Sequence, residues 1–242
     1  MKIFNQVSSF MFGMECLGCG ATSEVLDPWL CPKCKMALRG EALQSSFPSP
    51  DVICLYPMRG ITRRMIHALK YKSLPGVASY LVKRSSAVDG GEVALAMSVY
   101  PKPFFFVPVP LHPSRLRERG YNQAEKIAAA FAVVTGGSVA RWLSRTRFVV
   151  SQTKLSKEER EWNVAGAFAA RLPRKKPSQG TIFIVDDVFT TGATTSACMA
   201  ALEGKIDLEV KVCTLLYEEP VSAAMDFVAD NQVEWDIIEK HR

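Results

Sequence analysis

The sequence predicts an α/β fold: a parallel sheet flanked by helices, with a small metal ribbon near its N-terminal end. Three observations carry this. Ile182, Phe183, Ile184 and Val185 form an unbroken apolar run of strand length, the pattern of a strand covered on both faces. Strand candidates alternate with helix candidates along the chain, which favours parallel, doubly wound pairing. Cys16-Leu-Gly-Cys19 and Cys31-Pro-Lys-Cys34 are paired C-x-x-C knuckles separated by eleven residues.

Taken in order, Phe4, Val7, Met11 and Met14 recur at helical spacing and are expected to dock on the protein. The first residues lack the charged region, apolar core and cleavage site of a signal peptide. The knuckles follow. Four thiolates at this spacing suit a tetrahedral structural metal site, with zinc as the default ion. Cys19-Gly20 and Cys31-Pro32 are also similar to rubredoxin knuckles, which keeps iron open. Cys54, Cys198 and Cys213 stand alone in apolar surroundings and are read as core residues. Phe47-Pro48-Ser49-Pro50 reads as a linker, dividing a ribbon over 1–46 from a domain over 51–242. Ile61, Met65, Ala68 and Leu69 define a helix with Arg63, Arg64, Lys70 and Lys72 on or beside it. Phe104 to Pro110 is a strand that leaves regular pairing at its prolines. Asn122 with Glu125 forms a capping box for a helix whose buried stripe is Ala124, Ile127, Ala128 and Phe131. Ser156 with Glu159 opens a shorter helix in the same way. Arg171 to Gly180 is a basic loop, and Leu208 to Leu216 is a last strand.

The chemistry concentrates after the central apolar run. Asp186 and Asp187 follow where that strand is expected to end. Thr190, Thr191, Gly192, Ala193 and Thr194 come next, ahead of an alanine-rich helix through Leu202. Ligands of open α/β sheets bind at the carboxyl ends of strands, and a helix N-terminus offers free N–H groups to phosphate. Gly192 lets the backbone approach closely, and the threonine hydroxyls add donors. Two carboxylates can accept hydrogen bonds from vicinal ribose hydroxyls. An ATPase is excluded as the nearest rival, because no G-x-x-x-x-G-K-[ST] segment occurs in the chain.

Charge is unevenly spread. The chain carries 30 Lys+Arg against 24 Asp+Glu, a net +6. Residues 51–160 hold 18 basic against 7 acidic residues, and residues 181–242 hold 4 against 12. A basic middle suits a polyanion, either pyrophosphate or single-stranded nucleic acid. Arg115, Arg117 and Arg119, in a turn ahead of the Asn122 helix, suit bidentate phosphate contacts. No apolar run approaches the ~20 residues of a membrane span, and the cytoplasm is the expected compartment.

VDDVFTTGATT (Val185 to Thr195) resembles the phosphoribosyl pyrophosphate loop of type I phosphoribosyltransferases. VPVPLHPSRLRERGYNQAEKIA (Val107 to Ala128) and SQTKLSKEEREWNVAGAF (Ser151 to Phe168) narrow the resemblance to the ComF family, also called GntX. Its members are competence-associated proteins that join a C-x-x-C ribbon to a type I phosphoribosyltransferase domain. Ribbon and motifs stand in the family order over residues 16 to about 216. The resemblance implies that Asp186 and Asp187 hold the ribose hydroxyls and are the catalytic acids. It implies that Thr190, Thr191, Gly192, Ala193 and Thr194 hold the terminal phosphate, with Mg²⁺ accompanying phosphoribosyl pyrophosphate. Arg145 to Asn163 looks like the mobile lid of these folds, with Arg160 and Asn163 reaching inward and Arg115 and Arg119 on the pyrophosphate. Enzymes acting on oxopurines usually have an acidic base in the loop where this chain has Thr190. His112 is read as structural.

Three functions fit these patterns. One is a ComF-like phosphoribosyltransferase-fold protein acting in natural transformation and DNA uptake, with single-stranded DNA and DNA-processing proteins as partners. The second is a metabolic phosphoribosyltransferase using a base or amine. The third is a non-catalytic protein that binds single-stranded DNA or a partner on the same fold.

Overall fold

The computed structural model describes residues 14–23, 26–43, 51–86, 92–146 and 166–218. Phe4, Val7 and Met11 of the expected helical pattern, the 47–50 linker, the Ser156–Glu159 capping box and the segment after 218 lie outside the described residues, and Met14, the last residue of that pattern, stands instead in a two-residue strand.

The ribbon begins with a two-residue antiparallel pair, β1 (Met14–Glu15) on β2 (Thr22–Ser23). Helix α1 (Pro32–Leu43) begins inside the second knuckle and carries Cys34, with Pro32 in its first turn, where a missing N–H costs nothing. Cys34 and Leu38, one turn apart, are both buried.

The main sheet has five strands, all parallel, in the order β3-β9-β8-β4-β5. They are β3 (Val52–Pro57), β4 (Phe104–Pro108), β5 (Ser138–Val139), β8 (Thr181–Phe189) and β9 (Glu209–Tyr217). A separate antiparallel pair joins β6 (Leu143–Arg145) to β7 (Phe168–Ala170). The helices are α2 (Gly60–Tyr71), α3 (Gly76–Ser86), α4 (Glu92–Met97), α5 (Pro113–Arg119), α6 (Gln123–Thr135) and α7 (Ala193–Leu202).

The apolar run is the centre of this sheet. Ile182 to Val185 have no exposed surface, and strand alternation sends them to opposite faces. Phe183 and Val185 join Phe106, Ile127 and Phe131 on one side, while Ile182 and Ile184 join Val107, Cys198 and Leu202 on the other. Phe106 stacks between Phe183, 5.4 Å away, and Phe131, 5.8 Å away. Gly137 passes so close that a Cβ there would lie 2.7 Å from the Phe106 ring. Ile61, Met65, Ala68 and Leu69 are buried along α2, as their spacing predicts. The three isolated cysteines are core residues.

Three local expectations are corrected. The central strand does not stop before the acid pair: β8 runs to Phe189, because Asp186, Val188 and Phe189 stay in register with Thr214, Leu216 and Tyr217 of β9. Arg115, Arg117 and Arg119 belong to helix α5 and not to a turn. His112 caps that helix, Pro113 opens it, and left-handed Gly120 (φ 77°) ends it. The capping box at Asn122 is half formed: the Asn122 side chain accepts from the Ala124 amide at 3.0 Å, whereas Glu125 is paired with Arg141.

The ribbon is continuous with this core. Cys16, Leu30, Cys34 and Leu38 share a cluster with Tyr56, Met65 and Leu81. Trp29 meets Tyr80 edge-on at 5.7 Å and lies over Gly76, where a Cβ would be 2.6 Å from the indole. Asp27 is ion-paired with both Lys35 of α1 and Arg84 of α3.

Candidate functional site

Alternation along β8 splits the acid pair. Asp187 falls on the face of Phe183 and Val185, toward α2, where its Oδ1 lies 2.9 Å from Lys70 Nζ. Asp186 falls on the opposite face, the side of Cys198 and Arg145. Its Oδ1 accepts from the Asp187 amide at 2.9 Å. Burial, and then the neighbouring Asp187 charge, push the Asp186 carboxyl up to about 7, against the opposing pull of that amide, Lys70 and Arg145. Burial also lowers the Arg145 guanidinium from its ordinary range.

The loops after β4 build the opposite wall. The His112 ring nitrogen accepts from the Ser114 amide at 3.1 Å, starting α5. This is the structural role expected of that histidine, although it also faces the cavity. The Asn122 amide donates to the Val109 carbonyl at 2.9 Å, fixing the start of α6 to the end of β4. Gln123 is thereby held in the first turn of α6, buried. Arg119 lies with its guanidinium 5.3 Å over the Tyr71 ring.

These residues enclose a cavity of about 320 Å³, lined by Lys70, Leu111, His112, Ser114, Arg115, Arg119, Gln123, Arg145, Asp186 and Asp187. Among the described residues, four buried polar atoms that lack a hydrogen-bond partner belong to its lining: Arg119 Nε, Gln123 Oε1, Arg145 Nε and Asp187 Oδ2. Each such atom costs about 1–3 kcal/mol when left unpaired, a cost that a polar ligand or ordered water in the cavity would offset. The unmet groups are two donors and two acceptors. A molecule bearing both anionic oxygens and hydroxyls satisfies them, and the four cations outnumber the two carboxylates.

The loop between β8 and α7 opens on a second cavity. Thr191 and Ala193 line a space of about 620 Å³ with Gly166, Phe168, Ser196 and Ala197. Gly192 takes φ 79°, a left-handed conformation that favours glycine, and stands at the N-cap of α7. Thr195 Oγ1 donates to the Gly192 carbonyl at 2.8 Å, and Thr191 Oγ1 accepts weakly from the Ala193 amide at 3.4 Å. Thr190 is exposed and Thr194 half-buried. The two cavities share a wall, since Arg145 of the first stacks 5.4 Å over Phe168 of the second. The structure therefore gathers Asp186, Asp187, Arg115 and Arg119, and sets the threonine loop on the far side of β8's end. Arg117 does not line either space. Arg160 and Asn163 lie outside the described residues.

Sequence reasoning does not find Lys70 and Gln123 as lining residues, and it makes Arg145 the start of a mobile lid, whereas Arg145 ends strand β6 and lines the cavity from there. The spacing puts Lys70 only on a basic helix surface. Gln123 carries a faint signal, a polar residue directly after a helix cap and beside a buried stripe.

The knuckles form their own centre. The four sulfur atoms of Cys16, Cys19, Cys31 and Cys34 lie within 4.8 Å of one another, and those of Cys19 and Cys31 are 3.9 Å apart. Tetrahedral zinc with Zn–S of about 2.3 Å requires sulfurs about 3.8 Å apart, so the set fits a metal ion. Burial alone would raise the Cys16 thiol, but the backbone amides of Cys31, Cys19 and Gly18 outweigh it and hold it down to about 6. Cys34 moves upward through burial and the neighbouring thiols. A Cβ on Gly18 would sit 2.7 Å from Cys34 Sγ, so the cradle needs a glycine there. Among the described residues, no helix is long and apolar enough to cross a membrane.

No protein-family profile matches the chain. Over 101 residues it is 31% identical to competence protein F of Haemophilus influenzae, covering 38% of this chain and 41% of that protein. Over 173 residues it is 29% identical to DNA utilization protein YhgH of Salmonella typhi, covering 68% and 74%. YhgH of Escherichia coli K12 is 29% identical over 191 residues, covering 69% and 75%. The match thus spans less than half of competence protein F and about three quarters of the YhgH proteins.

Proposed function

We propose that this chain, ComF-like by its similarity to those relatives, binds phosphoribosyl pyrophosphate or a related ribose phosphate and serves in the handling of DNA during its uptake or use. The observation that carries the ligand reading is the convergence of four unpartnered buried polar atoms in one cavity at the end of β8. Asp186 and Asp187 would accept from the ribose hydroxyls. Thr190 to Thr194 and the first amides of α7 would take the sugar's own phosphate on the far side of the strand. Arg115, Arg119 and Lys70 would face the pyrophosphate, with Arg160 and Asn163 as lid contacts. Mg²⁺ would accompany the pyrophosphate and offset its charge. The DNA-handling part rests on the names of the relatives, competence protein F and DNA utilization protein.

The same residues suit catalysis of transfer. Displacing pyrophosphate from the anomeric carbon builds positive character on the ribose and negative charge on the departing group. Carboxylates below the ring and fixed cations at the leaving group stabilise both. The loop offers no acid at Thr190, so an oxopurine acceptor is not part of this proposal. The knuckles would hold a structural zinc ion, with four protein ligands leaving no open position, in a ribbon over 1–46 ahead of the domain over 51–242.

Calorimetry and thermal unfolding with phosphoribosyl pyrophosphate and Mg²⁺ test the reading. A ligand of the native state raises the unfolding temperature by mass action. Asp187→Asn should weaken binding by about 1.5–3 kcal/mol through loss of a charged acceptor, and Thr191→Val should weaken the hold on the sugar's phosphate. Parent-like binding by both variants, or no stabilisation of the parent chain, would overturn it.

A further inference from the structure

We propose that the outer face of α2, where it meets the end of α5, is a binding track for single-stranded nucleic acid. Arg63, His67 and Tyr71 follow one another at four-residue intervals, so they form one row along the helix. All three are exposed, as are the flanking Arg64 and Lys72. No acidic residue stands anywhere on α2. Tyr71 is 56% exposed, unusual for a large aromatic ring, and it is already an element of a stack. The His67 ring lies 4.7 Å from it at a 45° tilt, and the Arg119 guanidinium lies 5.3 Å from its centroid.

Charge complementarity selects a polyanion, and the rings select among polyanions. Proteins that bind single strands combine cations along the backbone with aromatic faces on which bases stack. A membrane surface or an acidic protein needs the cations but not an exposed π-face backed by a guanidinium. A duplex hides its base faces. The proposal deepens the DNA-handling part of the function by naming the surface, and it does not depend on the sugar-phosphate reading.

The test uses the full chain and a fluorescent oligothymidylate of about 20 residues, read by anisotropy across a salt series. Tyr71→Ala should weaken binding at least about fivefold, the low end for one stacked base, and Tyr71→Phe should restore it. Arg63→Gln with Arg64→Gln should flatten the salt slope by about 0.7 for each phosphate left without its arginine. Both changes are at exposed positions, and retention of the parent's unfolding temperature checks the fold. Photo-crosslinking of a thiothymidine oligonucleotide to the unaltered protein should label the peptide spanning 60–72. Stabilisation by phosphoribosyl pyrophosphate should persist in the Arg63→Gln, Arg64→Gln variant, whose altered side chains line neither cavity, which separates failure of this surface from failure of the ligand site. Parent-like DNA binding by Tyr71→Ala, crosslinks confined elsewhere, or a parent chain that binds phosphatidylserine vesicles or polyglutamate but not the oligonucleotide would each overturn the proposal.

Discussion

Asp186 joins local strand geometry to a pH-dependent cost. It sits beside Asp187 on a strand that stays paired past both residues, so the backbone fixes both carboxylates at the end of the sheet. The Asp186 carboxyl is therefore raised to about 7, chiefly by burial and next by its neighbour, from an unfolded value of about 3.9. The native state binds the proton more tightly than the unfolded state does. The associated stability is present in full below about pH 4 and is lost as pH rises through about 7. Asp186→Asn removes this loss. Differential scanning calorimetry of the ligand-free protein should find the variant more stable than the parent at about pH 8, with the gap closing near pH 4. An equal gap at both pH values would mean that the Asp186 carboxyl is not raised in the native state. Lys70 limits the cost by pairing with Asp187.

At the scale of elements, the ribbon and the sheet act as one packing unit. Metal coordination supplies folding energy to small ribbons, and here the ribbon's Leu30 and Leu38 also fill the main core. Purified chain should carry one tightly held metal ion, measured by elemental analysis, with all four thiols blocked to alkylation until it is removed. Stripping that ion should lower the unfolding temperature of the whole chain and not melt a separate small transition. Four freely reacting thiols in metal-free protein would exclude the site. The elements themselves are legible in the sequence to different degrees. The Ile182–Val185 run, the Gly192 turn and the α2 stripe can be read because each depends on neighbours within a few residues. The knuckle spacing is legible for the same reason. The cavity wall is not: Lys70, Gln123 and Arg145 come from α2, α6 and β6, and they meet only because β8 lies between β9 and β4. A helix for Arg115 to Arg119 escapes sequence reading because His112 is an unusual cap, its ring nitrogen replacing the usual side-chain oxygen.

Across the whole molecule, the imbalance of charge maps onto the site. The basic stretch 51–160 supplies Lys70, Arg115, Arg119 and Arg145, and the acidic stretch 181–242 supplies the carboxylate pair they face. The arginines of α5 are not equivalent, and this gives a graded expectation. Arg119 has a buried, unpartnered Nε and is held over Tyr71. Arg115 lines the same cavity but is 44% exposed and lies 3.5 Å from Glu118. Arg117 lines neither cavity. If a pyrophosphate occupies this end of the site, Arg119→Ala should weaken phosphoribosyl pyrophosphate binding most, Arg115→Ala less, and Arg117→Ala hardly at all. Ribose-5-phosphate lacks the group these side chains face, so its affinity should change little in any variant. A nucleic-acid role predicts a different order. Removing any arginine that touches a phosphate, Arg117 included, should then reduce the salt slope of single-stranded DNA binding by about 0.7. Titrating the three variants against the three ligands at low and moderate salt separates the two orders. Equal losses for both sugar phosphates would show that α5 shapes the cavity without touching pyrophosphate, because only a direct contact distinguishes a ligand that carries that group from one that does not.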